Sequence, residues 1–256
     1  MDHCNPIGTP MAESDRDRIV SIHSEPLAPE RKQKYQQLVG CLLYLVHGSR
    51  PDIAYSVIRL SQFSSKPEQH HWDALKKVLR YLKGTKHATL TLGRRSDTFL
   101  EGYFDAAYAD NGDKRSTGAY VFLFYGSLVS WSSKVQRIIA ISTVEAELVA
   151  ASEAARETMW IRTIASDIHD GPSPQPTTNL YGDNTGTLAL ARNPEFHQRT
   201  KHIAIRERYI SSLVENHLTQ VFKLDPSKGE VVQQLCNLAK TILERHPRFI
   251  NSAIYP

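Results

Sequence analysis

Apolar residues in the first hundred positions recur every three or four residues, a spacing that is typical of amphipathic helices. We predict three helices here: the first spans residues 29–48, the second begins at Pro51, and the third spans residues 65–84. Ser65 and Glu68 form a capping-box pattern at the start of the third helix. The amino-terminal part of the chain is therefore expected to be a small helical region.

From residue 98 onward, apolar positions alternate with polar ones, as they do in β-strands. Four consecutive strands are predicted, over residues 99–105, 119–125, 128–133 and 137–142. A long helix over residues 143–168 follows, because Ser142 is a suitable N-cap and Glu145 stands at the capping-box position.

The rest of the chain continues this mixture of strands and helices. A proline-rich surface linker is predicted over residues 170–178. Beyond it we predict strands over residues 179–183 and 218–224, and helices over residues 185–192, 201–215 and 230–244. This order of elements is expected to form an α/β domain, a mixed sheet flanked by helices.

The composition is that of a globular protein, with 41% hydrophobic and 23% charged residues among 256. No apolar run approaches the ~20 residues that span a bilayer, and the first residues have no signal-peptide pattern, so we expect no membrane partner. The three cysteines include no CxxC pair for zinc and are too few for a disulfide framework. Both features fit a reducing intracellular setting.

Charge is distributed unevenly along the chain. Residues 1–100 contain 15 basic and 10 acidic residues, whereas residues 101–182 contain 6 basic and 10 acidic ones. This distribution suits a carboxylate-rich site whose surroundings hold a polyanion. Chance variation among solvated surfaces explains the charges equally well at this point.

Three acidic residues stand where the predicted elements meet. Asp105 and Asp183 end predicted strands, and Glu147 lies near the start of the long helix with no capping role. Asp183 alone is also a candidate helix N-cap. Three carboxylates from separate elements can hold hard, oxygen-preferring cations such as Mg²⁺. Two such ions about 3.5–4 Å apart activate water for in-line displacement at a phosphodiester.

Several long motifs resemble one known family. The segments after residue 98 are GYFDAAYADNGDKRSTGAYVFLFYGSLVSWSSK, ISTVEAELVAASEAARETMWIR, LYGDNTGTLALARNP and FHQRTKHIAIRERYI. In this order they resemble the ribonuclease H domain of Copia-type retrotransposon Pol polyproteins. Upstream, NPIGTPM, YQQLVGCLLYLVHGSRPDIAYSV and HWDALKKVLRYLKGT resemble the reverse-transcriptase thumb and connection region that precedes that domain.

The resemblance implies two domains: a thumb/connection-like helical region over residues 1–97 and a ribonuclease H-like domain over residues 98–256, with a five-stranded mixed sheet. It also implies hydrolysis of the RNA strand in RNA/DNA hybrids, with two Mg²⁺ ions or with Mn²⁺. Asp105, Glu147 and Asp183 match the family's metal-binding carboxylates. The polymerase part of a Pol polyprotein is a second implied partner. We expect the cytoplasm, including virus-like particles, or the nucleus as the location.

A basic segment and a basic helix face are further candidates for nucleic-acid binding. His197, Arg199, Lys201 and His202 match a signature stretch of the family, near the substrate phosphates, although both histidines are equally well explained as packing residues. Lys76, Lys77, Arg80 and Lys83 form the basic face of the third helix and are predicted to touch the hybrid backbone. A solvated helix face is the alternative for these four residues.

Two positions depart from the family's pattern. Ala107 stands where the family has an aspartate after its first metal ligand, and Asn237 stands at the fourth ligand position. An amide oxygen can coordinate a metal but brings no charge, so weaker metal binding is expected. These departures leave open a catalytically degenerate relic that binds nucleic acid without cleaving it. The isolated thumb-like helices leave open a further alternative, a structural domain that packs against a separate polymerase subunit.

Overall fold

The structure, a computed structural model, describes residues 4–21, 23–90, 92–93, 96–168, 175–183 and 201–223. The described residues form two units, one made by residues 4–90 and the other by residues 92–223. The predicted helices over residues 185–192 and 230–244 and most of the predicted linker lie outside the described residues.

The amino-terminal unit contains helices α1 (Glu13–Ser21), α2 (Pro29–Gly48), α3 (Ala54–Ser61) and α4 (Gln69–Gly84), with a short 3-10 turn over Pro51–Ile53 before α3. Its core is built from apolar residues that recur at helical spacing on α2, α3 and α4. The largest fully buried side chains are those of Tyr35, Leu42, Ile53, Leu60, Leu75 and Tyr81. Helix α1 was not predicted, because its sequence ESDRDRIVS has only two apolar residues.

The predicted start of α4 at residue 65 is wrong. The helix begins at Gln69, with Glu68 as its N-cap, and the Glu68 backbone N–H donates to Nδ1 of His71 at 3.0 Å. Pro67 explains the difference, because the ring of a proline disfavours the helical conformation of the residue before it. A helix that began at Ser65 would need that conformation at Lys66.

The carboxy-terminal unit contains strands β1 (Leu100–Ala107), β2 (Thr117–Phe124) and β3 (Ser127–Val135), then helix α5 (Thr143–Ile168), strand β4 (Thr178–Gly182), helix α6 (Lys201–Glu215) and strand β5 (Thr219–Lys223). The sheet has the order β3-β2-β1-β4-β5. Strands β1, β2 and β3 are antiparallel neighbours, whereas β4 pairs in parallel with β1 and β5. The predicted five-stranded mixed sheet is confirmed.

The predicted strand over residues 137–142 is wrong. Among the described residues, strand β3 is an edge strand that pairs with β2, and its last residue Val135 lies opposite Thr117, the first residue of β2. After Val135 one more backbone hydrogen bond follows, from the Gln136 N–H to the carbonyl oxygen of Ser116 at 2.8 Å, and residues 137–142 then lie outside the strands. The apolar pattern that suggested a strand belongs to a loop, in which Ile139 and Ile141 are exposed.

Helix α5 covers one face of the sheet. It packs against β1, β2 and α6, and its inner surface is rich in alanine, including Ala146, Ala150, Ala151 and Ala154. Small side chains let the helix approach the strands closely. The first turn is capped as predicted: the Glu145 N–H donates to Oγ of Ser142 at 3.1 Å, and the Glu145 carboxylate accepts from the Ile141 N–H at 2.8 Å. Glu145 therefore forms part of the amino-terminal cap of α5.

Candidate metal centre

The register of the central parallel strands places two aspartates at one level of the sheet. Tyr103 of β1 pairs with Tyr181 of β4. Asp105 and Asp183 each follow two residues later, Asp105 near the end of β1 and Asp183 directly after β4, so both lie toward the carboxyl end of this parallel pair. The carboxyl end of a parallel pair is where ligand sites of α/β sheets are commonly built.

Helix α5 brings the third carboxylate to the same place. Glu147 lies in the first turns of α5, which packs against β1. One carboxylate oxygen from each of Asp105, Glu147 and Asp183 lies within 4.8 Å of the other two. Glu147 is buried, with 5% of its surface exposed, whereas Asp105 is half-buried and Asp183 is exposed. The structure therefore brings together the three carboxylates that the sequence singled out.

The electrostatic environment of Glu147 is strongly unfavourable to its charge. Burial, together with the neighbouring carboxylates of Asp105 and Asp183, raises the pKa of Glu147 to about 10. Its Oε2 atom is fully buried and has no hydrogen-bond partner among the described residues. A buried carboxylate without compensation is costly, so this side chain needs a cation or a proton.

These properties fit a divalent cation. The cluster offers only oxygen donors, one of them an unpartnered buried oxygen, and its three carboxyl groups repel one another when ionised. Mg²⁺ and similar hard ions prefer such ligands and relieve such repulsion. Asp105, Glu147 and Asp183 are the residues that would hold the ion.

The backbone around the cluster is tightly packed. A Cβ atom built on Gly182, the residue before Asp183, would lie 2.4 Å from Cζ of Phe104, the residue before Asp105. Only glycine fits this contact without a shift of the ring or the strand. The Ala106 N–H donates to Oδ1 of Asp105 at 2.7 Å. The positions of both aspartates are thus coupled to the packing between β1 and β4.

Sequence reasoning missed a hydrogen-bond network in the β1–β2 connection. Nδ2 of the buried Asn111 donates to Asp110 Oδ1 at 2.8 Å and to Thr117 Oγ1 at 3.1 Å. The Thr117 hydroxyl donates in turn to the Asp110 carboxylate at 2.9 Å. The network secures the turn that follows Asp105. The only sequence signal was a run of turn-forming residues, ADNGD, which does not reveal which side chains are buried.

The four basic residues predicted on α4 all have partners within the amino-terminal unit. Ion pairs join Lys76 to Asp73 at 2.7 Å and Lys77 to Asp15 at 2.6 Å. Backbone carbonyls accept from the other two, Arg80 at Asn5 and Lys83 at Cys4. Three of these contacts fasten α1 and the segment before it to α4. Their contact with nucleic acid stays a prediction.

Several predicted site residues have no described side chain. His197, Arg199 and Asn237 fall outside the described residues, and Lys201 and His202 open α6 without described side chains. Among the described residues, no helix is both long enough and apolar enough to cross a membrane.

No protein-family model matches the chain. The retrovirus-related Pol polyprotein from transposon TNT 1-94 of Nicotiana tabacum is 35% identical over 234 residues, which are 90% of this chain and 17% of that protein. The retrovirus-related Pol polyprotein from transposon RE2 of Arabidopsis thaliana is 37% identical over 217 residues, which are 84% of this chain and 14% of that protein. The solved structure of the foamy viral protease-reverse transcriptase in complex with RNA/DNA hybrid aligns with 92% of this chain and 29% of that one, at a TM-score of 0.50 and 15% identity.

The strand order and the helices on the sheet define the carboxy-terminal unit as a ribonuclease H-like domain, as the resemblance implied. The chain is homologous to a segment of the retrovirus-related Pol polyproteins of Copia-type transposons. It spans less than a fifth of the length of these relatives.

Proposed function

We propose that the carboxy-terminal unit hydrolyses the RNA strand of RNA/DNA hybrids with the help of two divalent ions, Mg²⁺ or Mn²⁺, held by Asp105, Glu147 and Asp183. The observation that carries this proposal is the meeting of three carboxylate oxygens within 4.8 Å of one another around a buried glutamate. The homology to Pol polyproteins supports it, as does the solved neighbour that holds an RNA/DNA hybrid.

The three carboxylates have different tasks in this proposal. Bound ions would activate a water molecule and stabilise the leaving oxygen of the phosphodiester. Glu147 is the buried anchor, and it must give up its proton before it can bind a cation. Asp183 is the exposed member, so the substrate reaches the cluster from its side. Asp105 is held in place by the Ala106 N–H and by the strand that carries it.

The amino-terminal unit has a supporting role in the same proposal. Its helices correspond to the thumb and connection region over residues 1–97, which would hold the hybrid and contact the polymerase part of the polyprotein. The nuclease would then comprise residues 98–256. Asn237 would be the fourth ligand and His197, Arg199, Lys201 and His202 would contact the substrate phosphates.

Two sequence departures favour a second candidate, a relic that binds hybrids without cutting them. Ala107 ends β1 where the family has an additional aspartate, and Asn237 lacks the charge of the usual fourth ligand. Fewer carboxylates weaken the hold on a second ion.

A cleavage assay on the whole chain decides between the candidates. A hybrid labelled on its RNA strand is incubated with the protein and Mg²⁺ or Mn²⁺, beside Asp183→Asn and the control Asp167→Asn, which removes an exposed acid at the far end of α5. Cleavage by the wild type and Asp167→Asn, lost in Asp183→Asn, supports the nuclease. Binding without cleavage in all three supports the relic.

A further inference from the structure

Two adjacent histidines at the start of α4 hold the last turn of α1. Nε2 of His71 lies 3.1 Å from the carbonyl oxygen of Ile19, and Nε2 of His70 lies 3.3 Å from the same oxygen. Because a carbonyl oxygen only accepts hydrogen bonds, both rings carry a proton on Nε2 and donate it to α1. The side chain of Ile19 is buried between the helices. Helix α1 is therefore fastened to α4 through one backbone atom and the apolar residue that carries it.

Both ring nitrogens of His71 have partners that fix its protonation state. Nδ1 accepts from the backbone N–H of Glu68 at 3.0 Å, which is one half of the capping box of α4. A second proton could bind only at Nδ1, where it would meet this N–H, a group that cannot accept. The hydrogen bond between Glu68 and His71 would then break, and the start of α4 would lose part of its cap.

His70 also contacts α1, but it tolerates a second proton. Its Nδ1 lies 2.7 Å from Oγ of Ser24, and a hydroxyl group can accept as well as donate. A carboxylate oxygen of Glu68 lies 3.6 Å from the same nitrogen and would attract the charge. A proton on His70 thus leaves the contact with Ile19 intact, whereas a proton on His71 disrupts the helix start that positions its ring.

The immediate surroundings of His71 oppose its charge. Its buried ring stacks on Phe63 at a centroid distance of 4.1 Å, and the ring of His70 lies at 3.9 Å. Burial, and after it the neighbouring His70, lower the pKa of His71 to about 4. The hydrogen bond to Ile19 and the carboxylate of Glu68 act in the opposite direction but do not offset the burial.

The neighbouring elements bring charges that already have partners. Helix α1 brings Asp15, which is paired with Lys77 of α4 at 2.6 Å. The segment before α2 brings His23, an exposed residue that lies 3.7 Å from the carboxylate of Glu68. From the end of α3 comes the uncharged ring of Phe63. The protonation of His71 is therefore governed mainly by its burial and by its two backbone partners.

We propose that His71 is an acid-sensitive latch, which holds α1 on α4 in its neutral form and releases α1 when it is protonated. Release would also break the contacts that α1 and the segment before it make with Lys77, Arg80 and Lys83. These three cations of α4 would then be available to other ligands. Acid thus uncovers part of the basic face of α4.

The size of the effect follows from the two protonation states. The open latch exposes an ordinary histidine with a pKa of 6.5, whereas the closed latch binds the proton only near pH 4. The ratio of open to closed molecules is therefore constant above about pH 6.5 and rises about tenfold for each pH unit below it, until the pH approaches 4. Between pH 7.5 and pH 5 this ratio should rise about 30-fold.

Hydrogen exchange of the full chain, followed by mass spectrometry of peptic fragments, measures this ratio. Protection factors, which are corrected for the intrinsic effect of pH on exchange, are compared for α1 and α2 at pH 7.5 and pH 5. The protection of α1 should fall at least about tenfold on acidification and should stay below that of α2. A smaller fall would overturn the proposal. Equal protection of α1 and α2 at pH 5 would also overturn it, because the whole unit would then open together.

Three variants assign the effect to one ring. His71→Asn offers an amide oxygen close to the position of Nδ1 and binds no proton, so α1 should be less protected at pH 7.5 but insensitive to pH. His70→Gln should keep the fall seen in the wild type, as should the control His47→Gln, which changes an exposed histidine in the last turn of α2. A fall that persists in His71→Asn, or that disappears in His70→Gln, would overturn the assignment.

A measurement on the wild type decides if His71→Asn does not fold. Nuclear magnetic resonance of the ring nitrogens reports the protonation state of each histidine. The ring that contacts Phe63 should stay in the neutral form with its proton on Nε2 at pH 5.5. A doubly protonated ring at that place and pH would overturn the proposal.

Discussion

Tyr103 and Tyr181 lie opposite each other in the β1–β4 pair, with their rings stacked at a centroid distance of 5.1 Å and an interplanar angle of 21°. The row continues to Phe222 of β5, whose ring stacks on Tyr181 at 5.6 Å. Because Asp105 and Asp183 follow the two tyrosines by the same number of residues, this stack fixes the register on which the carboxylate cluster depends. A slip by one residue would turn every side chain of a strand to the opposite face.

Tyr103→Ala should therefore destabilise the domain substantially. Tyr103 is buried, and removing a buried aromatic ring costs about 3–5 kcal/mol in the free energy of unfolding. Tyr103→Phe keeps the ring and loses only the hydroxyl, which donates to Glu101 at 3.1 Å, so its cost should be about 1 kcal/mol. Urea unfolding of the variants measures both costs. Similar losses for Ala and Phe would mean that the hydroxyl, and not the ring stack, holds the strands.

Glu147 should make the metal-free domain less stable as the pH rises. Its pKa is raised from 4.5 to about 10 in the folded state, so the folded protein holds a proton that the unfolded chain has released. The stabilising contribution of that proton is complete below about pH 4.5 and decreases as the pH rises toward 10. In EDTA, Glu147→Gln should melt higher than the wild type at pH 8, and the difference should shrink toward pH 5. Melting temperatures measured across this range test the sign, with Asp167→Asn as the control.

Divalent ions should reverse this pH dependence. Cation binding requires the ionised form of Glu147, so it releases a proton and becomes stronger as the pH rises. Mg²⁺ should therefore raise the melting temperature of the wild type more at pH 8 than at pH 6, and should leave Asp183→Asn nearly unchanged. If Mg²⁺ raises the melting temperature of Asp183→Asn as much as that of the wild type, Asp183 is not a metal ligand.

Gly182→Ala should damage both stability and the metal centre. The new methyl group would meet Phe104 at 2.4 Å, so the ring or β4 must move, which costs about 1–3 kcal/mol. Since Asp183 is the next residue, the Mg²⁺ concentration needed for thermal stabilisation should rise. Gly40→Ala is the control: it lies within α2 with no atom near the added methyl group, and it should stabilise by about 0.5–1 kcal/mol. Unchanged metal dependence in Gly182→Ala would show that the strand end absorbs the shift.

Asn237→Asp tests the fourth ligand position. If the residue stands beside Asp105, the added charge should lower the Mg²⁺ concentration needed for half-maximal cleavage. The wild type should correspondingly prefer Mn²⁺, which accepts mixed ligands more readily. Metal titrations of both proteins give the answer, and identical cleavage curves would remove residue 237 from the metal ligands.

The basic face of α4 is tested by its salt dependence. Replacing Lys76 and Lys77 by glutamine should flatten the slope of hybrid affinity against salt by roughly one to two units if both touch phosphates. Their ion pairs with Asp73 and Asp15 give a contrasting expectation, lower stability of the amino-terminal unit with no change of slope. Measuring both quantities in the same variant separates the two roles.

The sequence predicts those features that depend on local pattern. The bounds of α2 and α5 agree with the predicted helices because proline, capping residues and long apolar stripes mark them. The carboxylate cluster was predictable because its acidic residues stand at predicted strand ends and near a helix start, where capping or another local role does not account for all three of them.

The errors have non-local causes. Residues 137–142 have a strand-like pattern, but whether they pair depends on where β2 begins. The partners of the α4 lysines come from α1 and from the segment before it, which no periodicity in α4 could reveal.

The parallel pairing of β1 with β4 also determines when the site can exist during synthesis. Asp105 and Asp183 are separated by 78 positions, and contacts of such long range close late in folding because a large loop must first be ordered. A nascent chain carries Asp105 and Glu147 well before it carries Asp183. Until β4 has been translated and added to the sheet, the carboxylate of Asp183 is missing from the cluster. The growing polypeptide therefore has no complete cation site. Binding of an ion at this site would therefore report that β4 has joined the sheet.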